Sequence, residues 1–439
     1  MSSPASIPLF LSAFILATSL SSALAAAKPA PLIFPVEKDA STSEHYTTLQ
    51  LGTPPTTVNA VLDLGGQFTW IDCDANGGFR SSSYSPVACS SAKCEAIVSA
   101  LCLPICDSPG PARPGCTNDT CIVYAYNPFQ TTISPSSLSE DVLVVHPTDG
   151  ISSTSTLKLR NFTFSCASTD NTLRFPDSAI GVVALARSSF SLATELSTRF
   201  KLPRTFALCL PSSSSTTSGH GDLYIGGGPY LRPPIKKDLA KSLLRTQLLI
   251  NPVDTSALYK LSQPSDEYFI GVTAINIDSA PITFNSLILA IDKNGVGGTK
   301  LATSTQYTVL HSAIFKPLVR EFTKKAMDRK IKKAAPVEPL KACFDAKTVK
   351  SGLAGPDVPA IVLVLQSGAQ WRMEGANSMV RVSKDVMCLG FVDGGSKPRT
   401  AIVIGYLQME DNLVEFDVAS STFGFSNSLL LQNTSCSHL

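Results

Sequence analysis

Apolar residues come mostly in short runs that alternate with polar ones, and Gly, Pro, Ser and Asn clusters punctuate them. These short β-type runs predict strands over 46–51, 57–62, 68–72, 156–159, 206–210, 268–272 and 361–365. A helical period is confined to 191–200, 312–326 and 92–100, so the pattern predicts an all-β architecture with a few decorating helices. A coarse repeat runs through it. Asp63-Leu64-Gly65 is followed about a hundred residues on by Ala179-Ile180-Gly181, and Ala302-Thr303-Ser304 by Val403-Ile404-Gly405. Each half thus joins a loop to a later apolar-apolar-Gly element, where glycine lets two backbones approach closely. The division falls near Gly226-Gly227-Gly228-Pro229, giving an N-terminal lobe over 40–225 and a C-terminal lobe over 226–432.

Composition narrows the setting. The chain has 439 residues, 44% hydrophobic and 16% charged, with a formal net charge of +2. That is a globular balance with no global attraction to nucleic acid or membrane. Residues 1–25 read as a secretory signal peptide, with an apolar segment ending in Ala23-Leu24-Ala25; serines and threonines interrupt the run, which disfavours a membrane span. Twelve cysteines fit an oxidising compartment. Seven of them, Cys73, Cys89, Cys94, Cys102, Cys106, Cys116 and Cys121, precede Cys166, Cys209, Cys343, Cys388 and Cys436. The dense group has no Cys-x-x-Cys pair and little histidine nearby, so zinc is disfavoured and no metal or cofactor is expected. Sequons at Asn118, Asn161 and Asn433 agree with export.

Leu51-Gly52-Thr53-Pro54-Pro55, Asp63-Leu64-Gly65-Gly66, Trp70 and the Gly181 to Leu192 segment together resemble pepsin-type aspartic proteases. The resemblance spans nearly the whole mature chain and implies two β-barrel-like lobes related by a pseudo-twofold axis. Proteolysis by such enzymes needs two carboxylates that share a proton and polarise a water. Asp63 supplies one of these acids. In the second motif, Gly297-Gly298-Thr299-Lys300-Leu301-Ala302-Thr303-Ser304-Thr305, the acid's place is taken by Ala302. Leu64 replaces a hydroxyl that ties the two loops in active relatives, and Ser304 replaces a glycine. Asp292 and Asp393, the nearest other acids in sequence, read as turn residues. The hairpin expected over the cleft reads Tyr126-Asn127-Pro128-Phe129-Gln130, without the glycines of a mobile flap. No serine or cysteine nucleophile system stands out.

Trp70-Ile71-Asp72-Cys73-Asp74, Glu267-Tyr268-Phe269-Ile270-Gly271-Val272, Gly375-Ala376-Asn377-Ser378 and Cys388-Leu389-Gly390-Phe391 are similar to a plant subgroup. It contains extracellular dermal glycoprotein, basic 7S globulin and gamma-conglutin, beside inhibitors of xylanase and xyloglucan endoglucanase. The resemblance implies bridges Cys73 to Cys166, Cys209 to Cys436 and Cys343 to Cys388. It leaves open how Cys89, Cys94, Cys102, Cys106, Cys116 and Cys121 pair. The basic run from Lys324 to Lys333 reads either as a solvated helix end or as a patch for acidic partners. By resemblance, Arg399 and Lys333 lie on loops that reach into the carboxylate cleft of a glycoside hydrolase; lysine lacks arginine's planar fork. The expected function is therefore a secreted, apoplastic, catalytically inactive homologue that binds and inhibits a microbial cell-wall glycoside hydrolase. The alternatives are an aspartic endopeptidase of residual activity and a storage or peptide-binding glycoprotein.

Overall fold

The strand Thr56–Asp63 passes from two exposed threonines to four buried residues at its end, because its second half enters the middle of a sheet. There it runs parallel to Gly181–Ala184, with Ala184 opposite Asp63. Gly181–Ala184 also pairs antiparallel with Trp70–Asp72, which runs parallel to Leu157–Ala167. The same plan recurs in the second half. Thr299–Leu301 runs parallel to Ile402–Ile404, which pairs antiparallel with Thr308–Leu310, and that strand runs parallel to Phe391–Asp393. The glycines of the repeat sit at the crossings: a methyl on Gly181 would lie 2.3 Å from the Trp70 carbonyl oxygen, and one on Gly405 2.6 Å from that of Thr305. Both contacts are too short for any side chain.

This computed structural model describes residues 29–97, 100–102, 114, 119–213, 219–255 and 263–437. The expected signal peptide at 1–25, the cysteines Cys106 and Cys116 and the sequon residue Asn118 lie outside them. The two halves share an antiparallel sheet. Its order is Leu32–Lys38, Gly221–Ile225 and Thr205–Cys209, then Leu413–Asp417, Thr422–Phe425 and Leu244–Leu249. The two halves meet between Thr205–Cys209 and Leu413–Asp417, where Phe206 stacks on Phe416 with ring centroids 4.7 Å apart. The architecture is the bilobal β-fold that the resemblance to pepsin-type proteases implies.

Helix Leu192–Phe200 starts where the Ser191 hydroxyl accepts from the Thr194 amide. Helix Ser312–Asp328 buries Ile314, Phe315, Leu318, Phe322 and Ala326, a stripe of helical period against the core. The expected helix at 92–100 shrinks to Ala92–Glu95. Cys94 is bridged to Cys121, and the amides of Ile97 and Ala100 turn back three residues to Cys94 and Ile97 instead of continuing the helix. The expected strand at 268–272 is split at Gly271. Phe269–Ile270 stays with the acid-loop strands, whereas Val272–Ile277 joins Ile361–Leu365 in a separate sheet. Among the described residues the bridges are Cys73–Cys166, Cys209–Cys436, Cys343–Cys388, Cys89–Cys102 and Cys94–Cys121. No described helix is long and apolar enough to cross a membrane.

Candidate functional site

The parallel strand pairs bring the two loops of the repeat face to face at the junction of the halves. Asp63 lies there, 3% exposed, opposite Ala302 at 8%. Asp63 Oδ1 accepts from the Gly65 amide at 2.9 Å. Its Oδ2 is buried and has no hydrogen-bond partner among the described residues. A methyl on Gly66 would sit 3.3 Å from that oxygen, so a longer polar side chain at 66 could reach it; glycine leaves it unserved.

Half of the expected loop-to-loop tie survives. Thr303 Oγ1 donates to the Leu62 carbonyl at 2.7 Å and accepts from the Leu64 amide at 3.1 Å. Leu64 has no hydroxyl with which to return the pair, and it is buried instead in the hydrophobic core.

The structure adds a second carboxylate that the sequence reading missed. A methyl on Gly65 would lie 3.5 Å from Asp63 Oδ1 and 3.3 Å from Glu267 Oε1, so this glycine separates the two acids. Glu267 is 7% exposed, and its Oε1 pairs with Lys300 Nζ at 2.7 Å. Its Oε2 accepts from the Thr255 hydroxyl and, at 3.3 Å, from that of Ser265. The signal was Lys300. A lysine inside the strand Thr299–Leu301, whose two neighbours are buried, calls for an acidic partner.

Burial pushes the Asp63 carboxyl up to about 6; the Gly65 amide and Lys300 oppose that rise and Glu267 adds to it. Burial, with the charges of Asp63 and Glu267, also pushes the nearby Tyr126 phenol up to about 12.

The hairpin over the site joins Cys121–Asn127 to Thr132–Val145 and is fastened down. Asn127 is fully buried; its amide nitrogen donates to the Asn171 and Leu173 carbonyls, each at 2.9 Å. Its oxygen accepts from the Phe129 and Gln130 amides. Phe129 then packs edge-on against Phe175 at 5.3 Å, and Phe175 against Trp70 at 5.5 Å.

Residues 45–227 match the family model described as xylanase inhibitor N-terminal, and 267–427 the one described as xylanase inhibitor C-terminal. A Nicotiana benthamiana protein named "Probable aspartic proteinase GIP2" is 40% identical over 412 residues, covering 94% of this chain and 92% of the relative. The chain belongs to this xylanase-inhibitor-like, pepsin-fold family. Gamma conglutin 1 of Prunus dulcis is another relative, 35% identical over 415 residues, covering 94% of this chain and 90% of its own. The crystal structure of EDGP superposes with a TM-score of 0.87 at 43% identity, covering 93% of this chain and 97% of that one. Basic 7S globulin from soybean superposes with a TM-score of 0.77 at 29% identity, over 93% and 98%. The relatives of this xylanase-inhibitor-like family are thus named both as proteinases and as globulins.

The other acids stay apart from the site. Asp292 Oδ1 accepts from the Asn294 and Val296 amides within its own turn. Asp393 is exposed and accepts from the Ser312 hydroxyl and the Gly395 amide. Arg399 is exposed at the edge of the C-terminal half, with Nη2 3.3 Å from the Asp254 carbonyl. Asp254 precedes Thr255, the residue that donates to Glu267, so Arg399 is linked to the site's edge through the chain. Lys333 is exposed on the short strand Lys333–Ala334, which pairs with Cys343–Asp345. The asparagines of two sequons, Asn161 and Asn433, are exposed.

Proposed function

We propose that the chain is a secreted, catalytically inactive member of this family that binds a cell-wall glycoside hydrolase and blocks its carboxylate cleft. The observation that carries the reading is the content of the two loops: Asp63 is buried on one, Ala302 holds the matching place on the other, and the neighbouring acid, Glu267, is paired with Lys300. Ala302 brings no carboxyl to its loop, so the facing pair of carboxylates that shares a proton and polarises a water in this chemistry is incomplete. The hairpin supports the same reading, because a clamping movement would have to break the buried Asn127 bonds to the Asn171 and Leu173 carbonyls. Exposed Arg399 and Lys333 supply the cations that a glycosidase's paired carboxylates attract.

The test is inhibition of a panel of microbial xylanases and xyloglucanases, with Arg399→Ala as control. Inhibition lost in the variant supports the reading; a panel untouched by the wild-type chain defeats it.

One observation favours a second reading. Burial pushes the Asp63 carboxyl up to about 6 beside Glu267, so an endopeptidase of low activity is the alternative. Cleavage of denatured protein at acid pH, abolished by Asp63→Asn, would establish it.

A further inference from the structure

Arg399 also lines a groove of about 950 Å³ in the C-terminal half, outside the Asp63 site. Its walls are pre-formed. One is the short turn Ser286–Leu289, where Asn285 Oδ1 accepts from the Leu287 amide at 3.1 Å. The second is the turn closed by the Ile291 to Gly297 bridge and capped by Asp292. The third is the 396–399 segment, fixed where the Gly297 amide donates to the Arg399 carbonyl at 2.8 Å.

Two features of the lining point to a ligand class. Leu287 is 79% exposed and Val296 45%, so the rim holds aliphatic side chains in water. Lys293, Lys397 and Arg399 are exposed cations along the same rim, whereas Asp292 is the one acid lining the groove among the described residues. Its Oδ1 is already taken up by two amides of its own turn. Among the described residues, His311 is the one aromatic ring lining the groove. Among the described residues, a uronic-acid chain would find charge there but only the His311 ring to stack on. A peptide finds both charge and aliphatic area.

We propose that this groove binds an acidic protein segment whose carboxylates meet Lys293, Lys397 and Arg399 and whose aliphatic side chain covers Leu287. Walls already tied by their own hydrogen bonds keep the ordering cost of binding low. The site shares Arg399 with the inhibitory reading but does not depend on it.

The probe is a dye-labelled peptide of alternating Glu and Leu, titrated with the full chain and followed by anisotropy, with a labelled oligogalacturonide in parallel. Saturable peptide binding that weakens with salt is expected. Lys293→Glu should lower the affinity on the order of tenfold at low salt and less at high salt. Leu287→Ser should lower it by roughly tenfold at any salt. Lys293→Arg and Leu287→Met should retain binding. Both positions are exposed, so unchanged thermal midpoints are expected for all four variants. Absence of peptide binding overturns the proposal, as does binding unchanged in both Lys293→Glu and Leu287→Ser. Binding of the oligogalacturonide alone overturns it in favour of a polysaccharide. A chain that binds the peptide but inhibits no glycoside hydrolase supports the groove and defeats only the inhibitory reading. A chain that inhibits through Arg399 yet ignores the peptide overturns the groove alone.

Discussion

Replacing Asp63 with asparagine should change how stability depends on pH in a way that isolates this one carboxyl. Burial lifts its pKa from 3.8 to about 6, so the folded state holds the proton more tightly than the unfolded chain does. The sign follows. Stability contributed by this group is fully present below the unfolded value and is lost as pH rises through the folded one. Between about pH 4 and about pH 7 the wild type should lose about 2–3 kcal/mol through Asp63 alone. Asparagine keeps an oxygen for the Gly65 amide and carries no charge, so its own cost is the same at both pH values. Glu44 and Glu410, both pushed up to about 8 chiefly by burial, tilt the whole profile the same way. They are present in both proteins and cancel in the difference. The assay is denaturant unfolding of wild type and Asp63→Asn at the two pH values, at equal salt. The variant should gain about 2–3 kcal/mol on the wild type between the acid and the neutral measurement. A stability difference that stays constant across that range refutes the buried, raised carboxyl.

Other expectations follow from the same site. Thr303→Val keeps the shape but removes the bonds to Leu62 and Leu64, so it should cost about 2 kcal/mol in urea unfolding; a loss within experimental error refutes the tie. Asn127→Ala frees two carbonyls and two amides and should cost about 2–3 kcal/mol while speeding hydrogen exchange at 128–131. Unchanged exchange there would show that Asn127 is not what holds the hairpin. Ala302→Asp should leave the chain unable to cleave denatured casein at acid pH, because the hairpin stays fastened and Glu267 stays paired with Lys300. Cleavage by that single variant would falsify the view that several departures together silence the site.

Much of the fold could be read from the chain because strand signals are local. Thr56–Asp63 and Ile361–Leu365 announce themselves by β-branched residues and flanking turns. The repeat marked the two facing loops, and Ala302 is visible as soon as they are aligned. What escaped were contacts between residues far apart in sequence. Glu267 reaches Asp63 because Phe269–Ile270 pairs with Thr299–Leu301, and no local pattern states that pairing. Likewise Asn127 reads as an ordinary turn residue until the loop carrying Asn171 and Leu173 is folded beneath it. The helix expected at 92–100 failed because a bridge at Cys94, which periodicity does not register, fixes the segment.

The sheet common to both halves has a topological consequence. Thr205–Cys209 and Leu413–Asp417 are neighbours in space, and Cys209 is bonded to Cys436, 227 residues later in the chain. A single backbone cut anywhere between those cysteines therefore yields two polypeptides that remain one molecule, joined covalently and along the sheet they share. Scission would be invisible to size measurement until the bridge is reduced. Each half completes its neighbour's sheet, so neither is expected to persist as an independent product.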